Sequence, residues 1–200
     1  MKFNLAFLIL SVSIFCISPK TQAQDPAKWE NEIQKFKAQD KIDPPEKDAL
    51  LFVGSSSIRM WEDVADYFPE HEIINRGFGG SQFSDLIYYA DEIIYPYKPS
   101  KIFIYEGDND LFAGEAIDSI MQEAKELRLE IREQLPHTEV IFIAAKPSMS
   151  RWEMHEKYEK FNHRLQEYAK ETERTEFAEV WTAMLNENGR VRQDIFLKDG

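Results

Sequence analysis

The sequence predicts an α/β protein, a three-layer α/β/α sandwich built on a five-stranded parallel sheet. Three observations predict it. Five short runs are almost continuously apolar or β-branched, as strands buried on both faces must be. Segments with helical spacing separate the later runs, and strand–helix alternation gives right-handed βαβ units. The length of 200 residues suits one domain with a full hydrophobic core.

Taken in order, the chain opens on a segment that stands outside that domain. Lys2 precedes the apolar run "LAFLILSVSIFCIS" (5–18), and Thr21 and Ala23 are small residues at the positions a signal peptidase reads. Residues 1–23 are expected to be a secretory signal peptide cleaved after Ala23. Retention as a membrane anchor is the alternative, against which the run is short of the roughly 20 residues a span needs. A lipoprotein signal at Cys16 is disfavoured by the bulky Phe15 before it. Removing this segment, which carries Lys2 and Lys20 and no acid, takes the net charge from −12 to −14 and leaves no cysteine. The mature protein is therefore expected to be secreted or periplasmic, held by its core rather than by disulfides. An acidic surface excludes nucleic acid and stable attachment to an anionic membrane as partners.

Residues 24–48 are expected to form an N-terminal helix and loop. Trp29, Ile33 and Phe36 lie at helical spacing, and "DPPEKD" (43–48) ends the helix. The main domain then runs over 49–200. Its predicted strands are "ALLFVG" (49–54), "HEIINRG" (71–77), "KIFIYEG" (101–107), "TEVIFIAA" (138–145) and "TEFAEVW" (175–181). Its predicted helices cover 81–94, 115–135 and 151–172. The aromatic-rich 85–97 reads as a core helix with its exit turn rather than as a sugar platform.

Ligands of such sheets sit beyond the carboxyl ends of the strands. After the first strand come Gly54, Ser55, Ser56 and Ser57; after the second comes "NRGFGGS" (75–81); after the third, "EGDNDLFAG" (106–114); after the fourth, "KPSMSRW" (146–152). A hydroxyl, glycine amides and a carboxamide are the parts of an acyl-transfer site, in which serine attacks and N–H donors hold the oxyanion. The bland reading of each is local. A serine here can cap the next helix, Gly80 can serve a turn, and Asn109 can begin a helix. Asp108 and Asp110 read as structural; a metal reading finds no histidine or second acid cluster beside them. Arg59, Trp61, Arg151 and Trp152 stand either in the substrate pocket or in packing.

The order and spacing of these blocks resemble the SGNH (GDSL-type) hydrolases over residues 49–200. "FVGSSSI" is similar to their first block, with Ser56 in the place of the nucleophile and Ser55 in the place of the family's Asp. "NRGFGG" is similar to the second, with Gly80 as an oxyanion donor, and "GDND" matches the third, with Asn109 as the carboxamide donor. The resemblance implies a sheet of flavodoxin-like order, a serine esterase and no metal or organic cofactor. In the last block, Asp-x-x-His, Asp199 takes the place of the acid that orients the base, and the histidine falls at the second position beyond Gly200. His71, His137, His155 and His163 all stand in poor contexts for that role.

The resemblance thus implies hydrolysis of a small-molecule or glycan ester, with small acyl esters and acetylated carbohydrate foremost. A short-chain lipid esterase or lysophospholipase is the near alternative. A carbohydrate- or lipid-binding module without a base is the alternative of another class.

Overall fold

The computed structural model describes residues 25–196, so the signal segment and Asp199 lie outside the described residues. A 3-10 turn, Pro26–Trp29, leads into α1, Glu30–Ile42. The strands follow as β1 (Leu50–Gly54), β2 (Ile73–Gly77), β3 (Lys101–Tyr105), β4 (Glu139–Ile143) and β5 (Thr175–Ala178). They pair in the order β2-β1-β3-β4-β5, every neighbour parallel. That is the flavodoxin-like order, with its reversal between β1 and β3.

The helices are α2 (Ser56–Arg59), α3 (Phe83–Tyr88), α4 (Ala90–Ile93), α5 (Asp108–Phe112), α6 (Ile117–Gln134) and α7 (His155–Glu171). The long helices form where the 3.6-residue period is sustained. In α6 the stripe is Ile120, Met121, Ala124, Leu127 and Ile131, and in α7 it is Tyr158, Phe161, Leu165 and Ala169. Helix α6 ends one residue before Leu135, whose successor Pro136 disfavours helical geometry. The helix expected over 81–94 is instead two short ones. Tyr89 interrupts it at φ −98°, ψ 6°, its ring edge-on to Phe78 and its hydroxyl donating to the Pro26 carbonyl at 2.7 Å. The periodicity was legible there, and the anchoring of Tyr89 to a segment 63 residues away was not.

Side chains alternate cleanly across the sheet. Leu51, Val53, Ile102, Ile104, Val140 and Phe142 face one core, shared with Ile33 of α1, Leu86 of α3, Leu127 of α6 and Leu165 of α7. Leu50, Phe52 and Tyr105 face the other way, onto Ile58, Val64, Trp61 and Phe68. On that second face Phe52 stacks on Phe103 at 4.4 Å and meets Trp61 edge-on at 5.7 Å. The two layers follow from chain direction. The β1–β2 connection runs to the left of β1, and the later ones run to the right, so right-handed crossovers put them on opposite faces. Among the described residues no helix is long and apolar enough to cross a membrane.

Candidate active site

Gly54 ends β1 at φ +123°, and a Cβ there would sit 2.1 Å from the Tyr105 carbonyl oxygen. Only glycine lets the two strands close so tightly in that conformation. The same carbonyl accepts the Ser55 N–H at 3.0 Å, and the chain turns at once into α2. The three serines then diverge. Ser55 is buried, with its Oγ accepting from Asn109 Nδ2 at 2.6 Å and from Gly80 N–H at 3.3 Å. Ser56 is the first residue of α2, so its N–H precedes the helix's own hydrogen-bond ladder, and it lines an open cavity. Ser57 lines the same cavity, and its hydroxyl donates to that of Tyr105.

Sequence reasoning grouped Ser56 with Gly80 and Asn109. The structure brings Gly80 and Asn109 together on the neighbouring hydroxyl, Ser55 Oγ, and sets Ser56 beside them facing the cavity. The direction taken by the side chain before a helix depends on the backbone turn at Gly54, which the run "GSSS" does not reveal. Asp199 belongs to the residues outside the description. Among the described residues none of the four histidines contacts these serines. His137 lies at the opposite edge of the sheet, and His155 stacks on Trp152 with Nδ1 2.8 Å from the Trp152 carbonyl.

Gly80 sits at φ +82°, with Trp29 of the N-terminal turn 3.3 Å from where a Cβ would be. The loop that carries it is tied down by Ser81, whose hydroxyl is 3.0 Å from the Phe78 carbonyl and 2.5 Å from Glu106 Oε1. Burial, with Asp110 nearby, holds the Glu106 carboxyl well above the ordinary carboxylate range. The Ser81 hydroxyl is the donor to both oxygens, its single proton divided between the Phe78 carbonyl and Glu106 Oε1. Glu106 was missed because an acid closing an apolar strand reads in sequence as the strand's end.

Asn109 lies in the first turn of α5. Its Nδ2 also donates to the Ser81 carbonyl at 2.9 Å, and its Oδ1 accepts from Arg151 Nη2 at 3.2 Å. Arg151 Nη1 forms an ion pair with Asp108 Oδ1 at 2.6 Å, to which Tyr158 also donates at 2.7 Å. Burial opposes the Arg151 charge, but Asp108 and Tyr158 outweigh it and hold the guanidinium more firmly protonated than usual. Asp110 is structural, as expected: its carboxylate accepts the N–H groups of Phe83 and Gly107, both at 3.0 Å. The expectation that no further acids stand nearby is corrected. Carboxylate oxygens of Asp110, Glu115 and Glu123 lie within 4.8 Å of one another. Burial raises Asp110 and Glu123 to about 7 each, the Glu115 charge adding to the effect in both.

The cavity that Ser56 lines has a volume of about 670 Å³. Met60, Trp61, Met184, Ile195 and Phe196 supply apolar wall, and Lys146, Ser148, Ser150 and Arg151 supply polar wall. Lys146 lies over the Phe196 ring at 4.9 Å, which brings the last described turn of the chain to the cavity's rim. Trp61 and Arg151 thus belong to the pocket. Trp152 lines a separate recess with Met149 and Val191, and a Cβ at Gly79 would meet Arg59 Nε at 2.8 Å.

A parallel sheet of this flavodoxin-like order, with a serine turn, a glycine amide and a carboxamide meeting at its carboxyl edge, is the arrangement that the resemblance to ester hydrolases implies. The chain belongs to the GDSL-like lipase/acylhydrolase family, whose model matches residues 52–198. No curated protein matches it in sequence. Solved structures share the fold. One from Streptococcus pneumoniae, named for platelet activating factor, superposes with a TM-score of 0.76 at 22% identity, covering 86% of this chain and 83% of that one. A GDSL-like lipase from Bacteroides thetaiotaomicron gives 0.70 at 19% identity over 84% and 87%. A mutant of an acetyl-xylooligosaccharide esterase from Geobacillus stearothermophilus gives 0.58 at 18% identity over 70% and 78%.

Proposed function

We propose that the protein is an exported serine esterase that cleaves small acyl esters, acetyl esters of carbohydrates foremost, through an acyl-enzyme on Ser56. The observation that carries the reading is the meeting of Gly80 N–H and Asn109 Nδ2 on a single oxygen at the sheet's carboxyl edge. Two donors aimed at one point are what a developing oxyanion requires. The Ser56 N–H at the start of α2 is the third donor, with the ester carbonyl oxygen taking over the position near Ser55 Oγ.

In this mechanism Ser56 Oγ attacks the carbonyl carbon as a base removes its proton. The base is the histidine that the family resemblance places three residues after Asp199, oriented by the Asp199 carboxylate. Collapse of the tetrahedral species expels the alcohol, which takes that proton. A water molecule, deprotonated by the same base, then frees the acid and restores Ser56. The mixed wall of the cavity, with Trp61 and two serines, suits an acylated sugar. The fold shared with an acetyl-xylooligosaccharide esterase supports the same direction as an analogy only. A short-chain lipid ester is the competing substrate, and a panel of acetylated xylo-oligosaccharides against lysophospholipids separates the two.

A second reading is favoured by one observation. Both donors meet Ser55 Oγ, so Ser55 could itself be the nucleophile. Against it, Ser55 is 1% exposed and its N–H is spent on the Tyr105 carbonyl. Hydrolysis of p-nitrophenyl acetate by Ser55→Ala and Ser56→Ala variants of the intact gene product decides between them. The codons after Gly200 decide between esterase and binding module: histidine at the second supports the enzyme. Amino-terminal sequencing of exported protein tests the signal, with Gln24 expected first.

A further inference from the structure

We propose that Arg151 is a positioning residue that fixes and polarises the Asn109 carboxamide; the inference rests on the reading of Asn109 as an oxyanion donor. A carboxamide has two similar ends, and turned over it would aim an oxygen where the developing negative charge must be received. Its neighbours decide its orientation here. The Ser81 carbonyl can only accept, so Nδ2 must face it at 2.9 Å. The Arg151 guanidinium can only donate, so Oδ1 must face it at 3.2 Å. With both ends fixed, the other Nδ2 proton has one direction left, toward Ser55 Oγ at 2.6 Å.

The guanidinium is itself held. Nη1 bonds both the side chain and the carbonyl of Asp108, at 2.6 and 3.0 Å, and the plane lies over the Phe112 ring at 4.2 Å. Tyr158 and Tyr105 hold the two oxygens of the Asp108 carboxylate, at 2.7 and 3.1 Å. The loop after β4 is thereby fastened onto the first turn of α5, across 42 residues of sequence. A cation on Oδ1 draws electron density from the amide and makes Nδ2–H a stronger donor, an effect that grows as charge develops on the substrate oxygen. Lysine cannot reproduce this, because a single ammonium does not span Asp108 and Asn109 with a planar fork.

The test measures kcat and KM for p-nitrophenyl acetate in the intact gene product and its Arg151→Met, Arg151→Lys and Asn109→Ala variants. Arg151→Met is expected to lower kcat about tenfold with KM held within about twofold, part of the about 100- to 1,000-fold that losing the donor itself costs. Arg151→Lys is expected to recover part of that loss. The Asn109 side-chain amide protons, followed by NMR, are expected to lose their distinct shifts in Arg151→Met. The partial loss of kcat in Arg151→Lys carries the test if the Met variant unfolds. An unchanged kcat and unchanged amide shifts in Arg151→Met, beside a large loss in Asn109→Ala, would overturn the inference alone. Full turnover in Asn109→Ala would overturn the reading of Asn109 as an oxyanion donor and the inference with it.

Discussion

Two cavities of similar size lie at opposite edges of the one sheet, and only one has the chemistry of a site. At the amino edge of the strands a cavity of about 600 Å³ is lined by Lys98, Ser100, Lys101, His137, Thr138 and Glu139. It contains a histidine, two hydroxyls and several charges. Yet its polar groups answer one another: Thr138 donates to the Pro99 carbonyl, Ser100 to the Asp48 carbonyl, and Lys101 pairs with Glu139 at 2.6 Å. At the carboxyl edge, donors from two separate loops converge on a serine turn beside an open cavity. The difference teaches that volume and polar composition do not single out the proposed site; convergence of donors on one point does. It follows from how parallel strands end, because their carboxyl ends deliver successive loops to the same place.

The contrast can be broken most forcefully by deleting a hydroxyl or amide at each edge. Asn109→Ala is expected to lower kcat by about 100- to 1,000-fold toward p-nitrophenyl acetate. Ser100→Ala, at the other edge, is expected to leave it unchanged; equal losses would erase the distinction. Next in size is Gly54→Ala, where a Cβ would meet the Tyr105 carbonyl at 2.1 Å. Strain and overpacking there should cost about 3 kcal/mol in urea unfolding, against well under 1 kcal/mol for a surface substitution.

A smaller effect comes from the acids behind the carboxyl edge. Burial and then the Glu115 charge raise Glu123 to about 7 in the folded protein, so the folded state binds its proton more tightly than the unfolded chain does. Its contribution to stability is therefore full below the ordinary carboxylate range and is lost as pH rises through about 7. Glu123→Gln should gain in unfolding temperature relative to the parent between about pH 5 and about pH 8. A difference that stays constant across that range would remove the titration from the account. Smallest is Lys101→Met at the amino edge. Both partners of its ion pair are over a third exposed, so the change in stability should stay below about 1 kcal/mol by the same unfolding measurement.

Much of this was legible in the sequence, for a physical reason. Strands buried on both faces must be apolar throughout, so β1, β3 and β4 announced themselves, and the parallel order followed from the helical segments between them. Gly80 and Asn109 were legible as small and polar residues just beyond strand ends. What stayed hidden was set by distant contacts. The direction of Ser55 against Ser56 depends on the backbone at Gly54, where Tyr105 closes in from the next strand. The Arg151–Asn109 and Glu106–Ser81 contacts join residues 42 and 25 positions apart. No local pattern encodes them.

The central claim is that Ser56, open to the cavity, attacks while Ser55 marks the oxyanion position. Its most direct test is the steady-state hydrolysis of p-nitrophenyl acetate by Ser56→Ala and Ser55→Ala variants of the intact gene product. The account predicts at least about a 1,000-fold loss of kcat in Ser56→Ala and a measurable, smaller loss in Ser55→Ala. Undiminished turnover in Ser56→Ala, with activity abolished in Ser55→Ala, would contradict it.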